Sequence, residues 1–443
     1  MGENRKSGGG ERSFWRWQQG APDERAILVG VHLPHLFDGG LGGHADTDEL
    51  AQLVATAGGQ VVGILEQRLR RPTSSTFLGR GKLQELKELV ADRRANLVVF
   101  DNELSPAQGR NLEKELDVNV LDRTELILDI FARHANTRQA SRQVELAQLQ
   151  YLLPRLRRLW SHLERQAGGI GTRGPGETQL ETDRRLIDRR IAQLKGELRD
   201  IAGDRDIQRR GRGDLFKAVL VGYTNAGKST LMNGVTDAGV YVRDQLFATL
   251  DATTRRVEAD ERRRFLLTDT VGFIRRLPHH LVESFRATLQ EVTYADLLVH
   301  VVDAASRSPE LQIASVNKVL AELIPGEKDT LLVFNKMDKV DQELFENRFG
   351  RLHPGALFVS ARRPEGPTAL CEAILARLRR SEKIINLRVP ADRLNCLAVY
   401  HRTGAVLAQE FQGLSCMATV RIREEELRRL LAHEPSVELV EEP

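Results

Sequence analysis

Gly222-Tyr223-Thr224-Asn225-Ala226-Gly227-Lys228-Ser229 decides how this chain is read. The stretch fits G-x-x-x-x-G-K-[ST], the loop that wraps nucleotide phosphates. Before it, Lys217–Gly222 is an apolar run that reads as a buried strand. After it, Ser229, Thr230 and Leu231 open a helix. Glycine lets the backbone come close to phosphate, and successive N–H groups with a helix N-terminus face the negative charge. Lys228 is placed to reach the outer phosphates and the Ser229 hydroxyl to ligate Mg2+.

Three further signals follow at the expected intervals. Phe247-Ala248-Thr249-Leu250-Asp251 lies in an irregular segment, where a threonine can ligate Mg2+ and sense a γ-phosphate. Asp269-Thr270-Val271-Gly272 ends a strand as D-x-x-G, with Asp269 holding the metal through water and the Gly272 N–H meeting the γ-phosphate. Loss of that phosphate is expected to release both segments. Asn335-Lys336-Met337-Asp338 ends another apolar run as N-K-x-D. Its carboxylate accepts from the two N–H donors on one edge of guanine, and adenine offers neither. A site built on such a pair discriminates strongly, because the wrong base strands a buried charge. Ser360-Ala361-Arg362 supplies the last loop expected near the base. Together these motifs specify GTP and GDP binding with Mg2+, and Lys228, Thr249 and Gly272 form the expected catalytic set.

Position 273, after D-x-x-G, is phenylalanine, where some GTPases carry a glutamine that orients water. Slow intrinsic hydrolysis is therefore expected. Asn225 leaves two readings open: a ligand for an activating K+, or an asparagine that shapes the loop in the left-handed region.

Outward from this centre, strand-like and helix-like stretches alternate from Ala26 to about Asn136. Strands are expected at Ile27–His32, Val61–Leu65, Leu97–Phe100 and Val118–Leu121, and such alternation implies a parallel sheet. Ser105-Pro106 reads as a helix start with serine at the cap. The loop Thr73–Lys82 reads as structural or RNA-facing rather than as a second nucleotide site.

Leucines 149, 152, 156, 159 and 163, then Ile187, Ile191, Leu194, Leu198 and Ile201, repeat at the seam spacing of paired helices. They predict an antiparallel hairpin with a kink at Pro154, a Gly-rich tip over Gly168–Glu177 carrying Arg173, and a helix restarted by a capping box at Thr178–Glu181. Arg209–Asp214 reads as a linker. Arg155, Arg157, Arg158 and Arg173 are the candidate RNA-contacting side chains.

The chain has 443 residues, 41% hydrophobic and 29% charged, with a net charge of only +3. Its basic residues are clumped, and clumping matters more than the sum for phosphate contact. Cys371, Cys396 and Cys416 show no metal or disulfide spacing, which excludes a zinc ribbon and suits a reducing compartment. No apolar run approaches the ~18 residues of a membrane span and the N-terminus lacks a signal-peptide core, so a cytoplasmic protein is expected; a monomer is the expected state. The expected organisation is a multidomain α/β chain: a disordered tail (1–25), an N-terminal parallel-sheet α/β domain (26–136), the helical hairpin and linker (137–213), a P-loop GTPase domain (214–381) and a small α+β C-terminal domain (382–443).

Beyond the nucleotide motifs, Gly168–Glu181, Phe247–Asp251, Asp269–Ile274, Leu121–Phe131 and Val144–Leu149 resemble the HflX family of translational GTPases. The resemblance runs from about Ala26 to about Arg380. It departs after Ala361, where Arg362-Arg363-Pro364 replaces a Thr-Gly-type loop. It implies a GTPase that binds the 50S subunit, separates stalled or vacant 70S ribosomes under stress, and is stimulated by ribosomal subunits. It also implies ribosomal RNA contacts through the N-terminal domain and hairpin. An assembly or quality-control switch on the large subunit, without splitting, is the alternative. An RNA-modifying enzyme is the third reading, and no clustered Cys, His or acidic ligand set supports it.

Overall fold

A computed structural model describes residues 24–33, 47–159, 175–211, 215–236, 246–247, 250–259, 263–275, 291–324, 326–402 and 404–440. It divides into two compact units. The first takes the chain from its start to Ile201 and also holds Leu246 and Phe247; the second takes most of the chain beyond Ala202.

In the first unit, β1 (Arg25–His32), β2 (Gln60–Arg68), β3 (Leu97–Phe100) and β4 (Asn119–Asp122) form a parallel sheet in the order β2-β1-β3-β4. Helices α1 (Thr47–Thr56), α2 (Arg80–Arg93), α3 (Pro106–Leu116) and α4 (Arg123–His134) connect the strands and follow the last. The near-continuous apolar runs of β1 and β3 are buried, as strands covered on both faces require. Ser105 caps α3 through a reciprocal box with Gln108, and Pro106 takes the first turn. In the Thr73–Lys82 loop the Thr73 and Thr76 hydroxyls both donate to the Leu78 carbonyl, and Gln108 donates to the Thr73 carbonyl. Those hydroxyls hold the loop's own shape.

Helix α5 (Arg138–Leu159) continues through Pro154, and α6 is the long helix Pro175–Gly211. Between them Glu145 accepts two bonds from Arg190, at 2.7 and 2.9 Å, and Arg142 pairs with Glu197 at 2.8 Å. Partners that advance along one helix as they retreat along the other make the arms antiparallel. Leu194 is fully buried in the seam.

Two local expectations are corrected. Helix α6 starts at Pro175, ahead of the Thr178 box, because proline's fixed φ suits the first helical turn. It also runs to Gly211, so the first half of the expected Arg209–Asp214 linker is helical; arginine and glutamine are good helix formers. The tip residue Arg173 lies outside the described residues, as do the side chains of Arg157 and Arg158.

The second unit carries a six-stranded sheet in the order β10-β9-β8-β5-β7-β6. Its strands are β5 (Phe216–Gly222), β6 (Thr253–Glu258), β7 (Arg264–Asp269), β8 (Leu297–Asp303), β9 (Thr330–Asn335) and β10 (Leu357–Phe358). All neighbours are parallel except β6 with β7. Helices α7 (Lys228–Thr236), α8 (Pro309–Leu323), α9 (Gln342–Leu352) and α10 (Glu365–Ser381) are interleaved with it.

The chain then enters an antiparallel sheet, β12-β13-β11-β14, made of β11 (Glu382–Pro390), β12 (Val406–Gln412), β13 (Ser415–Arg423) and β14 (Glu438–Val440). Helix α11 (Glu424–His433) follows β13. Between β11 and β12 the stretch Leu397–Tyr400 is helical, with Leu397 buried in the core of this sheet and Tyr400 packed against it. Arg423 ties the sheet to the start of β8 by bonding Asp296 at 3.0 Å, and Asp296 also accepts from the Lys217 N–H at the start of β5. Among the described residues no helix is long and apolar enough to cross a membrane.

Candidate functional site

The motif residues of the second unit gather at the carboxyl ends of β5, β7, β8 and β9, the edge where open parallel sheets bind ligands. Gly222 ends β5 at φ +147, and an added Cβ would lie 2.1 Å from the Val301 carbonyl oxygen. Only glycine can turn there. Asn225 takes φ +60, the left-handed conformation of the loop-shaping reading, and Gly227 takes φ +94.

Lys228 is buried, and its Nζ donates to the Gly222 and Tyr223 carbonyls at 3.1 and 2.9 Å. Burial brings its ammonium down to about 8, against the pull of the Asp269 carboxylate. A bound phosphate would supply the counter-charge. One residue on, the Ser229 hydroxyl donates to Asp269 Oδ2 at 2.5 Å. Hydroxyl and carboxylate oxygens converging at a phosphate loop are the hard donors that Mg2+ takes, so this pair fits the metal. Thr270, next along, turns its hydroxyl to the Leu220 carbonyl at 2.7 Å and supports the strand end. Val271 is buried.

The base-side loops are tied to the phosphate loop through one side chain. Asn335 Nδ2 donates to the Ala226 carbonyl at 2.8 Å, while its Oδ1 accepts from the Ala361 N–H at 2.8 Å. A Cβ on Gly227 would meet that Nδ2 at 2.2 Å, so the loop needs glycine for this contact. Lys336 sits in the left-handed region at φ +66 and bonds Asp303 Oδ2 at 2.7 Å. Asp338 is exposed, its neighbour Met337 is buried, and Asp338 Oδ1 accepts from the Ser360 hydroxyl at 2.5 Å. That bond, with the Arg362 charge nearby, holds the Asp338 carboxyl below its usual range, fully ionised for a donor edge. Asp303 was missed from sequence. The signal was there, in an acid ending the apolar run of β8 in register with Asn335.

Three sequence expectations are placed elsewhere or fall outside. Phe247 is buried in the first unit, edge to face with Phe131 at 4.7 Å, and Leu246 N–H donates to the Thr56 hydroxyl at 3.2 Å. Its ring is thus occupied by apolar packing rather than by nucleotide. Ala248 and Thr249 lie outside the described residues; Leu250 is buried and Asp251 partly so. Arg155 is not a free RNA contact: it bonds Asp122 at 3.2 Å and the Leu104 carbonyl at 3.0 Å, and stacks over the Tyr151 ring. Tyr151 in turn donates to the same Asp122 oxygen at 2.9 Å. A nearly buried carboxylate took the charge that the sequence assigned to phosphate.

Phosphate loop, D-x-x-G and N-K-x-D at the ends of the parallel strands β5, β7 and β9 of one sheet define a P-loop GTPase. Protein-family models match in the same order: GTP-binding GTPase N-terminal over residues 44–132, GTP-binding GTPase Middle Region over 134–212, and 50S ribosome-binding GTPase over 217–336. GTPase HflX of Escherichia coli K12 is 44% identical over 94% of this chain and 97% of its own length. GTPase HflX of Flavobacterium psychrophilum is 50% identical over 71% of this chain and 76% of its own. The chain belongs to the HflX family of GTPases. The crystal structure of SsGBP with GDP also aligns, with 26% identity, 80% of this chain and 98% of that one covered, and a TM-score of 0.44.

Proposed function

We propose that this GTPase binds the large ribosomal subunit in its GTP state and separates stalled or vacant 70S ribosomes, with hydrolysis allowing release. The observation that carries the reading is the family membership, together with the description of the model matched by residues 217–336 as a 50S ribosome-binding GTPase. The hairpin supports it physically. Its arms are cross-linked by the Glu145–Arg190 and Arg142–Glu197 pairs and footed on the α/β domain through Tyr151 and Arg155. A stiff arm can carry the glycine-rich stretch with Arg173 into an RNA cavity.

In the nucleotide site, Lys228 neutralises the outer phosphates and Asp338 selects guanine. Gly272 donates its N–H to the γ-phosphate, and Ser229 and Thr249 would hold Mg2+, with Asp269 reaching it through water. The metal supplies charge neutralisation on the phosphates when bound. K+ beside Asn225 is a further cofactor to test, by exchange for Na+ during hydrolysis. Light scattering of 70S ribosomes with the full chain and a non-hydrolysable GTP analogue tests the main reading. Dissociation into subunits is expected, and should disappear on deletion of Gly168–Glu177 with nucleotide binding intact. Stable 50S binding without dissociation would favour the assembly or quality-control switch instead.

A further inference from the structure

Phe273 stands where a glutamine would orient water, and the structure gives it another task. Its N–H donates to the Gly222 carbonyl at 3.0 Å, and its own carbonyl accepts from the Thr224 N–H at 2.7 Å. Tyr223 and Phe273 are thereby paired as a short parallel bridge between the phosphate loop and the D-x-x-G stretch. Two residues later the Arg275 N–H donates to the Tyr223 hydroxyl at 2.7 Å. Both aromatic side chains are buried in the core of the sheet, at 6% and 3% exposure. Between the two strands there is no slack: a Cβ on Gly272 would lie 2.5 Å from Thr224 Cα and 2.9 Å from its nitrogen.

We propose that Tyr223 is a positioning residue for GTP hydrolysis. With the Phe273 strap it holds Gly272–Arg275 against the phosphate loop. The Gly272 N–H is then fixed in place before the chemical step. The proposal rests on the reading of Gly272 as the γ-phosphate donor. Its physical content is preorganisation: a donor already aimed at developing charge costs no rearrangement when the reaction occurs. Hydrogen bonds with apolar neighbours are also strong enough to keep such a strap closed. The phenylalanine also gains a reason. A side chain at 273 points into the core, so a glutamine there would bury an unpaired amide instead of meeting water.

The test uses the full-length protein and the variant Tyr223→Phe, which keeps the ring and removes the hydroxyl. The expected result is a kcat for GTP hydrolysis lower by about tenfold, less than the 10²–10³ lost on deleting a donor outright. KM and GDP affinity should stay near wild type. With a GTP analogue bound, amide exchange at Phe273 and Arg275 should be slow in wild type and faster at Arg275 in the variant. Phe273→Gln should hydrolyse GTP more slowly than wild type. Asp269→Asn serves as the marker of the site itself: wild-type hydrolysis there would overturn the reading of the site. Should Asp269→Asn lose activity while Tyr223→Phe keeps its kcat, the strap proposal fails. It also fails if the Arg275 amide exchanges equally slowly in the two proteins, or if Phe273→Gln is faster than wild type.

Discussion

The Phe131 and Phe247 rings meet edge to face with centroids 4.7 Å apart and planes at 85°. Phe247 holds this contact at φ +57, a left-handed conformation that a bulky side chain adopts only when its surroundings enforce it. Both rings are almost fully buried.

Phe131→Leu should therefore loosen the Leu246–Phe247 segment out of proportion to its effect on the fold. Loss of the edge-to-face geometry costs about 1 kcal/mol, whereas Phe131→Ala, which also leaves a cavity, costs about 3–5 kcal/mol. Urea unfolding gives the stability change and hydrogen exchange at the Leu246 amide gives the local one. An unchanged Leu246 amide in Phe131→Leu would show that the ring pair does not hold the segment.

Arg155→Ala should destabilise the first unit by about 3 kcal/mol, because it strands the buried Asp122 carboxylate. Arg155→Lys should recover only part, since an ammonium has no second nitrogen to bond the Tyr151 carbonyl while the first serves Asp122 and Leu104, and it cannot stack flat on the Tyr151 ring. Denaturant midpoints of the three proteins check this. Equal stability of the lysine variant and wild type would reduce Arg155 to a point charge.

Asp338→Asn should weaken GDP binding by at least about 10²-fold and raise affinity for xanthine nucleotides. Ser360→Ala should weaken GDP binding more mildly, since it removes the hydroxyl that holds the carboxylate in place. Equilibrium titration with fluorescent guanine and xanthine diphosphates measures both. Equal affinity for the two bases in wild type would refute the base assignment.

His300 adds a pH dependence. It is 1% exposed within β8, and burial first, then the Lys228 charge and His353, bring its imidazole down to about 4. A folded value below the unfolded one of about 6.5 means that protons bind the unfolded chain first. The contribution to stability is complete above about pH 6.5 and is lost as pH falls toward 4, approaching roughly 3 kcal/mol at the bottom of that window. Urea midpoints at pH 7 and pH 4.5 should differ less in His300→Leu than in wild type. An identical acid limb in the two would place the titration elsewhere.

The sequence was most legible where chemistry and backbone geometry coincide. Gly222, Gly227, Asp269 and Asn335 could be placed because each motif must follow a buried strand, and β5, β7 and β9 are apolar enough to declare themselves. Ser105-Pro106 likewise marked the start of α3 by local capping alone. What could not be read depends on distant partners. Arg155 looked like a phosphate ligand until Asp122, from another element, took its charge. Phe247 opens a nucleotide motif, and nothing nearby in the chain announces Phe131. The periodicity that indicated the hairpin was equally blind to its ends, because helical spacing does not say where Pro175 starts a turn or that Arg209 continues one.

Asn335 carries a last consequence. Its amide grips Ala226 on one side and Ala361 on the other, so the floor beneath the phosphates and the wall beside the base are a single keyed block. A guanine nucleotide does not have to assemble its own receptacle from separate flaps. Replacing this one amide by an isosteric apolar group should uncouple the two halves, leaving a protein that still holds pyrophosphate but no longer tells one nucleobase from another.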